Sequence, residues 1–157
     1  MLSSFTKLYH SKNFLNFSKK FFTANTKIFK ASTVSEGNKT ISKSPSGEFE
    51  IKAPLDALLG CAGSCEAHMI QMMAKKQKVP IEKIEVDVKG EYDLDVIMGV
   101  KKGPNTYTQI DVETRIFSSE QDKQKLEQTV KKGMEMCPVL STLKLAGIKI
   151  TEKINFL

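Results

Sequence analysis

The longest apolar stretch of the chain predicts one helix that is buried on most of its sides. Over residues 54–76, apolar side chains occupy nearly every face of a helical wheel, while Pro54 and Asp56 suit the first turn. The polar interruptions are few: Ser64, Glu66, His68 and Gln71. Because charged residues are costly at the centre of a bilayer, we expect a helix inside a protein and no transmembrane span.

Alternating polar and apolar residues predict strands on both sides of this helix. Before it, residues 27–34, 39–42 and 48–52 read as strands, the last two flanking a turn at Pro45. After it, alternation over 84–93, 108–116 and 148–154 predicts three more strands. Ser119 with Asp122 resembles a capping box before a second helix, and Pro138 opens a short third helix that Gly147 ends. We therefore predict an α+β fold in which a mainly antiparallel sheet packs around a long, buried central helix.

The charge of the chain argues against a nucleic-acid partner. The 157 residues carry a net charge of +6, but the basic excess comes from lysine, and Arg115 is the only arginine. Proteins that read nucleic acids favour arginine for two-pronged contacts to bases and phosphates. We expect no nucleic-acid binding.

The N-terminal region has the composition of a mitochondrial targeting segment. No acidic residue precedes Glu36, while six lysines and several phenylalanines and serines fall before it. We therefore predict a basic targeting extension over residues 1–32, a folded domain over residues 33–157, and a mitochondrial location.

The cysteines are the candidate chemistry. Cys65 lies near the middle of the long helix, and Cys137 precedes Pro138 at a helix start, where the helix dipole favours the thiolate nucleophile. Cys61 and His68 share a helix face with Cys65, so a zinc site of these three residues and Cys137 is one alternative. Another is that the cysteines are small core residues. We expect neither metal nor cofactor, and we expect Glu66 to point away from Cys65, towards a lysine or a second copy of the chain.

Two motifs resemble the signatures of the OsmC/Ohr family. One is Pro-Leu-Asp-Ala-Leu-Leu-Gly-Cys-Ala-Gly-Ser-Cys, which ends at Cys65, and the other is Cys-Pro-Val-Leu-Ser, which begins at Cys137. The resemblance implies an intertwined homodimer that reduces small organic hydroperoxides and is recharged by a dithiol. It also implies that Cys65 attacks the peroxide and Cys137 resolves the product, with His68 as the nearest ionisable helper.

One departure from the family leaves two functions open. The acid of the first motif, Asp56, comes one residue later than in the peroxidase branch, and no arginine precedes Arg115. The chain therefore resembles the branch that lacks the peroxidase arginine, and a thiolate without that arginine loses its main charge partner. The first expectation is a thiol-dependent hydroperoxide-detoxifying protein of mitochondria. The alternative is a catalytically inactive accessory subunit of a larger mitochondrial complex.

Overall fold

The computed structural model describes residues 29–36 and 39–157 of the chain. These residues form an α+β fold, as predicted, and it contains two three-stranded sheets and four helices. They divide into two compact units, one within Met1–Lys52 and the other spanning Ala53–Leu157. The first 28 residues, which carry most of the predicted targeting extension, lie outside the described part.

The first unit is a small antiparallel meander. Its strands are β1 (Ser32–Glu36), β2 (Lys39–Ser44) and β3 (Gly47–Glu50), hydrogen-bonded in that order. Ser44 pairs with Gly47 across the predicted turn at Pro45, and Gly47 adopts a φ of +141°, which favours glycine. β1 begins at Ser32, later than the strand predicted over 27–34, and three strands of this length bury almost nothing by themselves.

The second unit is a mixed sheet covered by helices. In chain order it contains α1 (Pro54–Gln77), β4 (Lys83–Tyr92), α2 (Leu94–Ile97), β5 (Tyr107–Phe117), α3 (Lys123–Glu135), α4 (Pro138–Leu145) and β6 (Lys149–Phe156). The central strand β5 pairs antiparallel with β4 and parallel with β6. A parallel pair needs a crossover connection, which α3 and α4 supply. Three of the four strand pairings in the described residues are antiparallel, as predicted.

Helix α1 is the predicted central helix. It begins at Pro54 and ends where Lys78 turns left-handed, with a φ of 54°. It packs against β4, α3 and α4 and buries Ala62, Gly63, Glu66, Ile70, Met73 and Ala74. Its other side is open in the single chain, where Leu55, Leu58 and Met72 each keep about two-fifths of their surface exposed.

Among residues 29–36 and 39–157, no helix is both long enough and apolar enough to cross a membrane.

Two local predictions needed correction. Helix α3 is capped by Asp122, whose carboxylate accepts a hydrogen bond from the Lys125 amide at 3.0 Å, so Ser119 is not the cap. The short helix α2 was not predicted. Asp93 caps it by accepting from the Asp95 amide at 3.1 Å, and Lys101 returns to bind Asp93 at 2.8 Å.

The core consists of two apolar clusters on the same face of the sheet. The α3 cluster contains Ile70, Ala74, Val79, Ile116, Leu126, Val130 and Met134. The cysteine cluster contains Ala62, Tyr107, Ile110, Val112, Cys137 and Leu140. Strand β5 serves both clusters, because Ile110, Val112, Thr114 and Ile116 alternate inward along it. The first half of α1 therefore packs in the cysteine cluster, and the second half packs in the α3 cluster.

Candidate thiol site

The fold brings Cys65 and Cys137 together. Cys65 is half-buried on α1 and packs against the cysteine cluster, to which the fully buried Cys137 belongs. The Cys65 thiol lies close enough to Cys137 to raise the pKa of its thiol. A long helix and the start of a short one thus place two thiols, 72 residues apart in sequence, in the same cluster of the core.

The turn between α3 and α4 holds Cys137 in place. Its amide donates to the Met134 carbonyl at 3.0 Å, and its carbonyl accepts from the Ser141 amide at 3.0 Å. Cys137 is the N-cap of α4 with Pro138 at the first helical position, and its thiol makes no capping bond to the helix. Backbone bonds on both sides therefore fix the Cys137 side chain where the two helices meet.

Burial dominates the electrostatics of Cys137. The pKa of the Cys137 thiol is raised to about 11, chiefly because burial removes water around it, and the neighbouring Cys65 thiol acts in the same direction. The amides of Leu140 and Val139 at the start of α4 act in the opposite direction, with the smaller effect. The expectation that the helix start makes Cys137 a ready thiolate was wrong, because desolvation outweighs the helix terminus.

Cys65 belongs to a stripe along the open side of α1. Leu58, Cys61, Cys65, His68 and Met72 follow one another at spacings of three and four residues, which places them in one line along a helix. Cys61 and His68 are exposed. No hydrogen bond or ion pair joins His68 to another of the described residues, so its ring is free to meet a ligand of Cys65.

Arg115 lies away from the thiols. It occupies an outward position of β5, on the face opposite Thr114 and Ile116. Its guanidinium binds Glu85 at 2.8 Å and Asp87 at 2.7 Å, both on β4. The part of the chain that the structure describes therefore offers no arginine to stabilise a thiolate at Cys65.

Glu66, the residue after Cys65, is fully buried. Its Oε1 accepts a hydrogen bond from the Thr114 hydroxyl at 2.6 Å, while Oε2 has no partner among the described residues. Burial raises the pKa of this carboxyl; Thr114 acts in the opposite direction, and the charges of Glu152 and Lys144 have smaller, opposed effects. The prediction that Glu66 contacts a lysine or a second copy of the chain was wrong, because Glu66 is buried within the single chain and binds Thr114. Ala62, Glu66 and Ile70 recur at intervals of four, and this periodicity could have revealed an inward-facing Glu66.

The groove beside α1 does not open onto the thiols. It has a volume of about 380 Å³ and is lined by Asp56, Leu59, Gly60, Gly63, Ser64, Val86 and Val88. Asp56 precedes Cys65 by nine residues, about two and a half turns of a helix, so the two lie on opposite sides of α1.

A metal centre has no support in the geometry. Within residues 29–36 and 39–157, no three side chains of His, Cys, Asp or Glu converge as metal ligands would. The alternative of zinc bound by Cys61, Cys65, His68 and Cys137 is therefore set aside.

The sequence assigns the chain to a family. A sequence model of the OsmC-like protein family matches residues 50–153, and the chain belongs to this family. Among curated proteins, none matches the chain in sequence.

Solved structures of related proteins share the fold. The OsmC-like protein from Mycoplasma pneumoniae superposes with a TM-score of 0.72 at 19% identity, covering 83% of this chain and 98% of its own. A hypothetical protein from Aquifex aeolicus superposes with a TM-score of 0.64 at 24% identity, covering 84% and 99%. The organic hydroperoxide resistance protein OhrB of Bacillus subtilis does so with a TM-score of 0.54 at 17% identity, covering 83% and 98%. At these identities the likeness shows the fold alone.

Proposed function

We propose that this chain is a thiol-dependent organic hydroperoxide reductase of mitochondria that uses Cys65 and Cys137 as a redox pair. The observation that carries the proposal is that the two motif cysteines, one half-buried and one fully buried, lie in the same core cluster, where the Cys65 thiol affects the pKa of Cys137. Family membership supports it, because structures of the same fold include a protein of organic hydroperoxide resistance.

The reaction has three balanced steps. The Cys65 thiolate attacks one peroxide oxygen, the O–O bond breaks, and an alcohol leaves once its alkoxide takes up a proton. Cys65 is then a sulfenic acid. The Cys137 sulfur displaces its hydroxyl, and a Cys65–Cys137 disulfide and one water form. A dithiol reductant finally restores both thiols and leaves as its own disulfide.

Burial supports the two proposed roles. Cys65 lies on the open side of α1, where a hydroperoxide and a reductant can reach it. Cys137 has no exposed surface and a raised pKa, so at neutral pH it is a protonated thiol that external reagents do not meet. It reacts only with a partner inside the fold, and Cys65 of the same core cluster is such a partner.

The electrostatics predict a slow enzyme. His68 is the ionisable side chain nearest to Cys65 along the stripe, and we propose that it takes the thiol proton. Without an arginine beside the thiolate, however, the negative charge in the transition state has no fixed partner among the described residues. Loss of such a partner commonly costs about 10²–10³ in rate.

We also propose that the protein works as a homodimer. Leu55, Leu58 and Met72 on α1 keep between 39% and 43% of their surface exposed in the single chain. Apolar surface of this extent usually marks an interaction site. A second copy that covers α1 would change the surroundings of Cys65. Light scattering at micromolar concentration should give the mass of a dimer, and a monomer would contradict this proposal.

A peroxide titration with cysteine variants tests the chemistry. Cumene hydroperoxide is added to the reduced protein in equimolar amount, and lost thiols are counted and mapped by mass spectrometry. The wild type should lose Cys65 and Cys137 together. Cys65→Ser should consume no peroxide, and Cys137→Ser should stop after one turnover with a trapped sulfenic acid. Cys61→Ser is the matched control, since it removes an exposed thiol of the same helix and should leave the reaction unchanged.

The alternative is a catalytically inactive OsmC-like accessory subunit of a mitochondrial complex. The engagement of Arg115 with Glu85 and Asp87 favours this reading, because it leaves the thiols without a guanidinium. If both thiols survive excess hydroperoxide while the protein co-purifies with a mitochondrial complex, this reading replaces the enzymatic one. A reporter fused to residues 1–35 should enter mitochondria under either reading, and a cytosolic reporter would contradict the location.

A further inference from the structure

Three side-chain hydrogen bonds tie α1 to its neighbours along its length. The Tyr107 hydroxyl donates to the Leu55 carbonyl at 2.9 Å near the start of the helix. The Thr114 hydroxyl donates to Glu66 at 2.6 Å in the middle. The Thr129 hydroxyl donates to Gln77 at 2.6 Å at the end. Glu66, which accepts the middle bond, is one residue from Cys65, and Gln77, which accepts the last bond, is twelve residues away.

The hydrogen bond between Glu66 and Thr114 lies at the boundary between the two apolar clusters. Glu66 and Thr114 are both fully buried. On α1, Ala62 belongs to the cysteine cluster and Ile70 to the α3 cluster, so Glu66 falls between them. On β5, Thr114 falls in the same way between Val112 and Ile116. A polar pair at such a place costs free energy of desolvation and adds no apolar contact.

The packing of α1 immediately before Cys65 uses small residues. The nearest inward residues on its N-terminal side are Ala62 and Gly63, and a Cβ added to Gly63 would lie 3.1 Å from the side chain of Val88. Small residues let a helix approach the sheet closely, but they form no ridge that would resist sliding or turning. A hydrogen bond has a direction and a narrow range of lengths. Buried polar pairs of this kind are best attested as devices that fix the register of packed elements.

We propose that Glu66 is a positioning residue for the two thiols. Its hydrogen bond with Thr114 fixes the rotation of α1 about its axis and its position on the sheet, so that Cys65 lies next to Cys137. This inference rests on the Cys65–Cys137 pair of the proposed function but not on its reaction with hydroperoxides. Because Cys65 and Glu66 are consecutive in one rigid helix, a small rotation at Glu66 moves the Cys65 sulfur. The Glu66–Thr114 hydrogen bond therefore sets the effective concentration of the Cys137 thiol at Cys65.

The thiol–disulfide equilibrium measures this effective concentration without any hydroperoxide. The full-length protein is equilibrated with glutathione buffers, free thiols are alkylated, and the fraction of Cys65–Cys137 disulfide is read by mass spectrometry. Thr114→Val keeps the shape of the side chain and removes the hydroxyl. Thr114→Ser keeps the donor, and Glu66→Gln keeps a carbonyl acceptor. Glu66→Met removes the acceptor and gives the same comparison from the other side if Thr114→Val does not fold.

Thr129→Val is the matched control. It removes a hydroxyl bond to α1 of the same length, far from Cys65, together with the 2.7 Å bond of the same hydroxyl to the Lys125 carbonyl. Thr114→Val and Glu66→Met should lower the equilibrium constant for the disulfide about tenfold, which corresponds to a hydrogen bond of about 1.4 kcal/mol. Thr114→Ser, Glu66→Gln and Thr129→Val should stay within about threefold of the wild type, although Thr129→Val should destabilise the fold.

The possible outcomes separate the two proposals. If Thr114→Val and Thr129→Val change the equilibrium constant equally, or if neither changes it, Glu66 is not a positioning residue. A wild-type protein that forms no Cys65–Cys137 disulfide in oxidising buffer also overturns the inference. A protein that shows the expected pattern but ignores cumene hydroperoxide supports the positioning role while it refutes the proposed reductase.

Discussion

The crossing of α1 and α3 depends on Gly133, and its substitution gives a sharp test of the packing. A Cβ added to Gly133 would lie 2.6 Å from the Cα atom of Ile70 and 3.0 Å from its amide nitrogen. Non-bonded carbon atoms prefer about 3.5–4.0 Å. Because the obstacle is backbone, it cannot rotate away as a side chain could. The Gly133→Ala variant must therefore move the two helices apart by about 1 Å.

The cost follows from what the two helices bury. Ile70, Leu126, Val130 and Met134 pack in the α3 cluster that the crossing holds together. A gap of about 0.5–1 Å forfeits a quarter to a half of the attraction of each contact it opens, and overpacking typically costs about 1–3 kcal/mol. Replacing glycine by alanine inside a helix returns up to about 1 kcal/mol. We expect Gly133→Ala to lower the free energy of unfolding by about 1–2 kcal/mol.

Gly60→Ala is the matched control on α1. A Cβ at Gly60 has no atom within 4 Å, so only the helix propensity changes, and we expect a gain of about 0.5–1 kcal/mol. Both variants are unfolded with guanidinium chloride at equal protein concentration and followed by circular dichroism, because association would make stability depend on concentration. A Gly133→Ala protein as stable as the wild type would refute the close crossing.

Three further predictions concern single side chains. Burial raises the pKa of Glu66 above its ordinary value of 4.5, so the folded state retains a proton that the unfolded state releases. The free energy of unfolding should therefore fall as the pH rises from 4.5 to the raised pKa of Glu66 in the folded state. Urea unfolding of Glu66→Gln should show no such loss. In the native protein at pH 8, iodoacetamide should label Cys61 fastest and Cys65 more slowly, and leave Cys137 unlabelled until unfolding; early labelling of Cys137 would contradict its burial. Arg115→Lys should leave peroxide consumption within about twofold of the wild type, whereas a loss of a hundredfold would show that Arg115 reaches the thiols.

The regular elements could be predicted from sequence because each carries a local signal. Pro54 and the apolar residues that follow it predict α1, and the strict alternation of polar and apolar residues predicts β4 and β5. The short helix α2 has no such signal, because four residues cannot show a period. It depends on Asp93, whose carboxylate caps it and also binds Lys101 from beyond the loop. A contact that crosses a loop is a tertiary event, which local patterns do not contain.

The two motif cysteines could be named from sequence, but their environments could not. Cys137 shows why. At the start of α4, nearby amides favour the thiolate, and that contribution is visible in the sequence because Pro138 marks the helix start. The larger contribution comes from the residues that exclude water from Cys137, among them Leu140 and Val112 of the cysteine cluster. Their approach depends on the whole fold, so the sign of the pKa change follows from packing rather than from the motif.

The three cysteines form a graded series, and this gradation constrains any chemistry the protein performs. Cys61 is exposed, Cys65 is half-buried and Cys137 is fully buried, although Cys61 and Cys65 are only one helical turn apart. A buried, protonated thiol resists oxidants in solution, yet it can capture a sulfenic acid formed against it, since that reaction needs contact rather than access. The same burial makes Cys137 a poor leaving group, so reduction of the disulfide by attack at Cys65 is slow unless the reductant drives it. The arrangement thus favours a disulfide that, once formed, is reduced slowly, and glutathione should accordingly regenerate the two thiols of the wild-type protein slowly.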